Sequence, residues 1–140
     1  MTPTRLVPIP HDGAPAAVDP SSILAVRAWR RAGGTEAIVS TERDSLRLRW
    51  DDVSEGLAAI AALTETTPDL VVVTDDAGQV LWIRPRAISS LSLDAPRASG
   101  QATILRVGYC EIPALAMSFR SAVRAGQAFD ALDGREEAAR

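Results

Sequence analysis

His11 stands next to Asp12, and an imidazole beside a carboxylate is the pairing that general acid–base chemistry uses. Gly13 follows directly, so His-Asp-Gly is also a turn signal. The chain has no second histidine, and nothing marks out the serine that a Ser-His-Asp arrangement would need. The turn reading is preferred. Cys110 lies between Tyr109 and Glu111 with no nucleophile motif around it, and reads as a half-buried structural thiol. The pairs Asp51-Asp52 and Asp75-Asp76 lack calcium-loop spacing and have no His or Cys nearby to complete a metal set. A helix cap accounts for the first pair and a turn for the second. No Gly-rich loop stands between a strand and a helix to cradle phosphate. No catalytic residue, metal ligand or cofactor is expected, and the chain is read as a non-enzyme.

The arginines carry the remaining chemistry. Arg27, Arg30, Arg31, Arg47 and Arg49 could line one basic surface, and Arg84, Arg86 and Arg97 an equivalent one later in the chain. Arginines on the loops of a β-domain can reach phosphates or guanine edges of double-stranded DNA. The competing reading is a solvated strand face. The chain contains no lysine, so arginine content alone is weak support for nucleic-acid binding. Trp29, Trp50 and Trp82 could stack on bases or ligands. Trp50 shares a strand face with Leu46 and Leu48, which points to core packing, whereas Trp29 ends its strand beside Arg30 and could meet a protein partner.

The elements that hold these residues are mostly strands. Leu6–Ile9 and Ala16–Val18 read as short strands about the His11 turn, the first suited by Pro8 to a sheet edge. Asp19-Pro20-Ser21-Ser22 is a turn, and Leu24 onward alternates as a strand ending at Trp29. Arg30 to Gly34 reads as a loop. Thr35–Thr41 and Ser45–Trp50 are further strands. The period then becomes helical, with Val53, Leu57, Ile60, Ala61 and Thr64 on one face and Asp52 with Glu55 resembling a capping box. Leu70–Val73 is continuously apolar and reads as a strand buried on both faces. Asp75 to Gly78 turns, and Val80–Ile83 returns. Ile83-Arg84-Pro85-Arg86-Ala87-Ile88 then echoes Val18-Asp19-Pro20-Ser21-Ser22-Ile23, 65 positions on. A strand to Leu93, a loop, and a strand over Ala102–Val107 follow. A second helix is expected from Pro113, with Ile112, Leu115, Phe119 and Val123 on one face.

The fold class expected is α+β and β-rich: two similar half-domains of antiparallel strands, each followed by a helix. The boundaries are a single domain over 1–133, half-repeats of about 5–65 and 70–128, and a flexible tail over 134–140. At 140 residues with a net charge of −3, the chain is of ordinary globular composition. It has no apolar run long enough for a membrane helix. No secretory h-region follows Met1, and one cysteine cannot form an internal disulfide, so a cytoplasmic protein is expected. Charge is uneven. Residues 1–50 carry seven Arg against five acids, 51–80 carry seven acids and no base, and 81–125 carry six Arg against two acids. Polyanion binding would therefore have to be local.

This order of elements resembles the LytTR-type DNA-binding domain of bacterial transcription regulators. The pieces that carry the likeness are Arg5 to Ile9, Val18 to Ala28, Ala37 to Thr41, Ser45 to Trp50, the helix from Val53 to Leu63, Leu70 to Val73, Trp82 to Leu91 and Thr103 to Arg124. Where that family carries a His-Arg-Ser-like motif after its buried strand, this chain has Thr74-Asp75-Asp76. The resemblance implies a non-catalytic regulatory domain. Its DNA contacts would come from Arg27, Arg30, Arg31, Arg47, Arg84, Arg86 and Arg97. The alternative is a protein-interaction or assembly module, a homo-oligomer joined through strand edges, that has lost its DNA contacts. A weaker likeness is to short flagellar FlbD-like proteins, two of which in tandem would also account for the echo.

Overall fold

The computed structural model describes residues 6–67, 69–96, 98, 100–110 and 114–134. The chain falls into two compact units, residues 1–70 and 71–140.

Unit 1 begins with an antiparallel hairpin, β1 (Val7–Ile9) with β2 (Ala16–Val18). A single 3-10 turn over Pro20–Ser22 follows. Asp19 caps it, accepting from Ser21 N–H at 3.0 Å and Ser21 Oγ at 2.8 Å, and Ile23 N–H closes it onto the Pro20 carbonyl. Pro20 suits the turn because its φ is fixed and it has no N–H to leave unsatisfied. Then comes an antiparallel meander of β3 (Ile23–Arg31), β4 (Gly34–Thr41) and β5 (Ser45–Trp50). One register shift between Ile23 and Ala25 bends the start of β3.

The helix α1 (Val53–Glu65) packs on β4 and β5. Asp52 is its N-cap and accepts from Glu55 N–H at 3.0 Å, as the sequence suggests; such a cap is worth about 1 kcal/mol. The core rows of the sheet are Val26–Val39–Leu46 and Ala28–Ala37–Leu48, with Trp50 beyond them opposite Thr35. Two expectations need correcting here. β3 continues through Arg30 and Arg31, because Ala32-Gly33 suffices as a two-residue turn with Gly33 at φ +80°. The helix face was also misphased: α1 buries Gly56, Ile60 and Leu63, while Leu57 is 57% exposed. Gly56 allows close approach, since a Cβ there would lie 2.8 Å from Thr35 Cβ.

Unit 2 runs through the same order of elements. Its hairpin is β6 (Val71–Thr74) with β7 (Val80–Ile83), followed by a 3-10 turn over Pro85–Ala87. Ile88 N–H closes that turn onto the Pro85 carbonyl. A three-stranded antiparallel sheet follows in the order β10-β9-β8: β8 (Ser90–Asp94), β9 (Thr103–Gly108) and β10 (Leu115–Phe119). The helix α2 (Ala122–Asp133) packs on β6, β8, β9 and β10. Ser121 caps its start by accepting from Arg124 N–H, and Gly134 ends it at φ +69°.

Two further expectations fail in this unit. The second helix does not begin near Pro113, which lies outside the described residues. Leu115, Met117 and Phe119 are buried on one strand face while Ala116 faces out, and Val123 is 70% exposed. β6 is not buried on both faces either, since Val72 is 54% exposed. Of the expected C-terminal tail, only Gly134 falls within the described residues. Among the described residues the chain is thus β-rich, with two α-helices and antiparallel sheets. Among the described residues, no helix is long and apolar enough to cross a membrane.

Candidate nucleic-acid interface

The meander of unit 1 has two faces of opposite character. One carries the apolar rows under α1. On the other, strand register sets Arg27 opposite Ile38 and Ile38 opposite Arg47. The next row is Trp29–Glu36–Arg49, and Arg31 lies at the hairpin end opposite Gly34. Four arginines and one glutamate therefore share this face. Arg47 and Arg49 are exposed, and Arg27 and Trp29 are half-buried. The Arg27 guanidinium lies over the Trp29 ring, 4.7 Å from its centroid, a cation–π contact between neighbours on this face. Arg31 Nη1 donates to Glu36 Oε1 at 2.5 Å. The Arg31 side chain is 53% exposed, so this pair is weak and available for exchange.

Not every expected residue joins this face. Arg30 alternates to the opposite side, in the row with Thr35 and Trp50, and is exposed at the strand end. Arg84 and Arg86 belong to unit 2, at the cap and within the 3-10 turn over Pro85–Ala87. Arg97 lies outside the described residues. The corresponding face of the unit 2 meander has the rows Ser92–Arg106–Ala116 and Asp94–Ile104–Ser118. Its one arginine, Arg106, is bonded to Asp94 at 2.8 Å. Glu36 completes the unit 1 face without having been named, beside Arg49 and Trp29, which the sequence offers for a basic surface and for stacking. The clean alternation of Ser45–Trp50, with Arg47 and Arg49 on the same side, is the signal that marks Arg49.

His11 and Asp12 have a structural task. His11 Nδ1 accepts from Gly13 N–H at 3.1 Å and Arg49 N–H at 3.3 Å, and Nε2–H donates to the Ala14 carbonyl at 2.6 Å. Asp12 N–H donates to the Arg49 carbonyl at 2.8 Å, and Asp12 Oδ2 accepts from Asp51 N–H at 2.6 Å. Trp50 Nε1–H donates to the Pro10 carbonyl at 2.7 Å. The hairpin turn thus clasps the end of β5.

Asp75 and Asp76 do the same in unit 2. Asp75 Oδ1 accepts from Ala77 N–H, and its Oδ2 accepts from Ser118 N–H at 3.1 Å. Asp76 N–H donates to the Ser118 carbonyl at 2.9 Å, and Asp76 Oδ2 accepts from Arg120 N–H at 2.7 Å. The Arg120 amide, then the Arg124 guanidinium bonded to Oδ1 at 2.5 Å, hold the Asp76 carboxyl below its ordinary pKa.

A hollow of about 590 Å³ lies beside α1, lined by Pro10, His11, Asp12, Trp50, Glu55, Ala58, Ala59 and Ala62. The polar groups His11 and Asp12 that reach it are already bonded to backbone partners. Cys110 is exposed. Among the described residues, no group of three or more His, Cys, Asp or Glu could hold a metal ion. No family model, curated protein or solved structure matches this chain.

Proposed function

We propose that the chain is a non-catalytic regulatory domain that binds double-stranded DNA through the outer face of β3–β5, on a scaffold resembling the LytTR type. The observation that carries this reading is the clustering of Arg27, Arg31, Arg47 and Arg49 around Trp29, with Glu36 in the same rows. The repeated order of elements supports the finer reading of two equivalent half-domains. So does the repeated clasp, in which Asp12 and Asp76 play the same part, as do His11 and Asp75.

On this reading the outer face of β3–β5 lies against the duplex, with the hairpin end at Arg31 and Gly34 toward the groove. Arg47 and Arg49, one strand over, reach phosphates and set the register. Arg31, at the β3–β4 hairpin end, is placed for a base edge once it exchanges Glu36 for guanine. The acidic turn at Asp75-Asp76 is used within the clasp, Asp75 accepting from amide N–H groups and Asp76 pairing with Arg124.

The test is a fluorescence-anisotropy titration of labelled duplex DNA at low and physiological salt. Two phosphate contacts, from Arg47 and Arg49, predict a slope of log K against log[salt] of about −2, and Arg47→Ala/Arg49→Ala should remove most of it. Absence of salt-dependent binding at micromolar protein, or a slope the double variant leaves unchanged, overturns the proposal.

A further inference from the structure

The strand edges of unit 2 are treated differently. The outer edge of β10 is closed by the hairpin turn. Ser118 gives its N–H to Asp75 and its carbonyl to Asp76 N–H, and the Ala116 carbonyl accepts from Gln79 Nε2 at 3.2 Å. In unit 1 the edge strand β5 is closed in the same way, through both backbone groups of Arg49. The other edge of the unit 2 meander is β8, and among the described residues it pairs with β9 alone. Four of its five residues are exposed, Leu93 to 40%.

An edge strand points alternate N–H and C=O groups away from its partner and is a template for another strand. Proteins usually guard such edges with Pro, lysine, an unpaired inward charge or a bulge. β8 has no Pro and no base, and its register with β9 is unbroken from Ser90 to Asp94. Its one charge, Asp94, is bonded to Arg106.

The sequence of this edge also complements itself. Ser90-Leu91-Ser92-Leu93-Asp94 alternates symmetrically about Ser92. An antiparallel pair centred there sets Ser92 opposite Ser92, Leu91 opposite Leu93, and Ser90 opposite Asp94. Leu91 and Leu93 lie in the rows of Val107 and Leu105, on the apolar face of the sheet. Pairing would continue that face from one copy into the next, with serine hydroxyls and the carboxylate on the other side. An isologous contact of this kind closes on itself as a two-fold dimer.

We propose that β8 is a self-association edge, and that its occupant is β8 of a second copy of this chain, giving a six-stranded antiparallel sheet. This does not rest on the DNA reading, whose arginines lie in unit 1.

The test is analytical ultracentrifugation of the full chain from about 5 to about 500 μM, the range of a modest interface. The expected species at the upper end has twice the monomer mass of 14.9 kDa. Ser92→Lys places two ammonium groups face to face on the axis and should raise the dimer Kd at least about tenfold. Ala116→Lys, exposed on β10, should leave it unchanged. In a Cys110→Ser background, Ser92→Cys should cross-link to a covalent dimer under mild oxidation, while Val72→Cys should not. That readout holds even if the lysine variant fails to fold. A monomer throughout the range, a dimer that Ser92→Lys leaves at wild-type affinity, or a Val72→Cys variant that cross-links as fast as Ser92→Cys overturns the proposal.

Discussion

Replacing Asp75 by Ala should open the clasp of unit 2. Asp75 is only 4% exposed. Its Oδ1 accepts from Ala77 N–H at 3.0 Å and Gln79 N–H at 2.8 Å, and its Oδ2 accepts from Ser118 N–H at 3.1 Å and Gln79 Nε2 at 3.2 Å. Truncation leaves three backbone donors without this acceptor. Hydrogen bonds to a charged group contribute about 1.5–3 kcal/mol each. Ala77 lies in an exposed turn and Gln79 is half-exposed, so water recovers most of what those two lose. Ser118 N–H sits on the sheet edge under the turn and is charged the full amount, about 2 kcal/mol. With roughly 0.5 kcal/mol for each of the others, the expected loss is about 3 kcal/mol, or slightly more than a hundredfold in an opening equilibrium. Hydrogen-exchange mass spectrometry checks this directly: protection should fall about a hundredfold in peptides covering Thr74–Gln79 and Ala116–Arg120. Asp75→Asn keeps an acceptor on one side but turns an amide donor toward Ser118 N–H, so about half the loss is expected. If protection at Ser118 changes less than about threefold in Asp75→Ala, the clasp does not hold the edge and the reasoning fails.

Asp76 sets a pH dependence of definite sign. Its folded pKa lies below its unfolded one, so its contribution is present in full above the unfolded value, about 4, and is lost as pH falls through the folded value. Urea midpoints should decline less steeply below about pH 4 in Asp76→Asn than in the wild type; parallel curves would refute this. The two helix glycines should respond in opposite senses. Gly56→Ala brings Cβ within 2.8 Å of Thr35 Cβ, at a residue 3% exposed, so overpacking should outweigh the gain in helix propensity, for a net loss of about 1 kcal/mol. Gly126→Ala meets nothing within 4 Å and should stabilise by about 0.5–1 kcal/mol. Urea unfolding of both variants is the check, and shifts of the same sign would show that the Thr35 contact does not matter.

Local patterns made much of this fold readable. The alternation of Ser45–Trp50, the Asp52 cap and the two Pro-led turns each announce themselves within a few residues. β10 did not, for a reason of arithmetic: Leu115 and Phe119 are four apart, which suits one helix face and one strand face equally. Met117 decides between them, because a helix would turn it away from the other two, whereas here it is fully buried beside them. Arg30 and Arg31 suggested a loop because they are charged, but an edge-on hairpin end tolerates charge. Gly56 was invisible to a hydrophobicity pattern because its contribution is the absence of a side chain. The clasps join residues about forty apart, Arg49 to His11 and Ser118 to Asp75, so neighbouring sequence could not reveal them. Of the candidate site, the alternating arginines of β5 were legible. Their convergence with Arg27 and Arg31 required the register of three strands.

On the proposed equivalence of the two units, each serves as the control for the other. Both arise from the same lysine-free chain, so any bias toward arginine acts on both. Positions that hold the scaffold keep their role while changing residue: His11 and Asp75 accept the edge N–H, Asp52 and Ser121 cap the helix, and Trp50 and Phe119 fill the core. The outer sheet faces do not match in that way. Where unit 1 has Arg27, Trp29, Arg47 and Arg49, unit 2 has Ser92, Asp94, Ala116 and Ser118. A scaffold that stands on serine and alanine at those places in one unit does not need arginine there in the other. Neither genome composition nor a shared scaffold requires the exposed Arg47 and Arg49 on this face. That contrast supports the proposed reading, in which the face meets an extended anion.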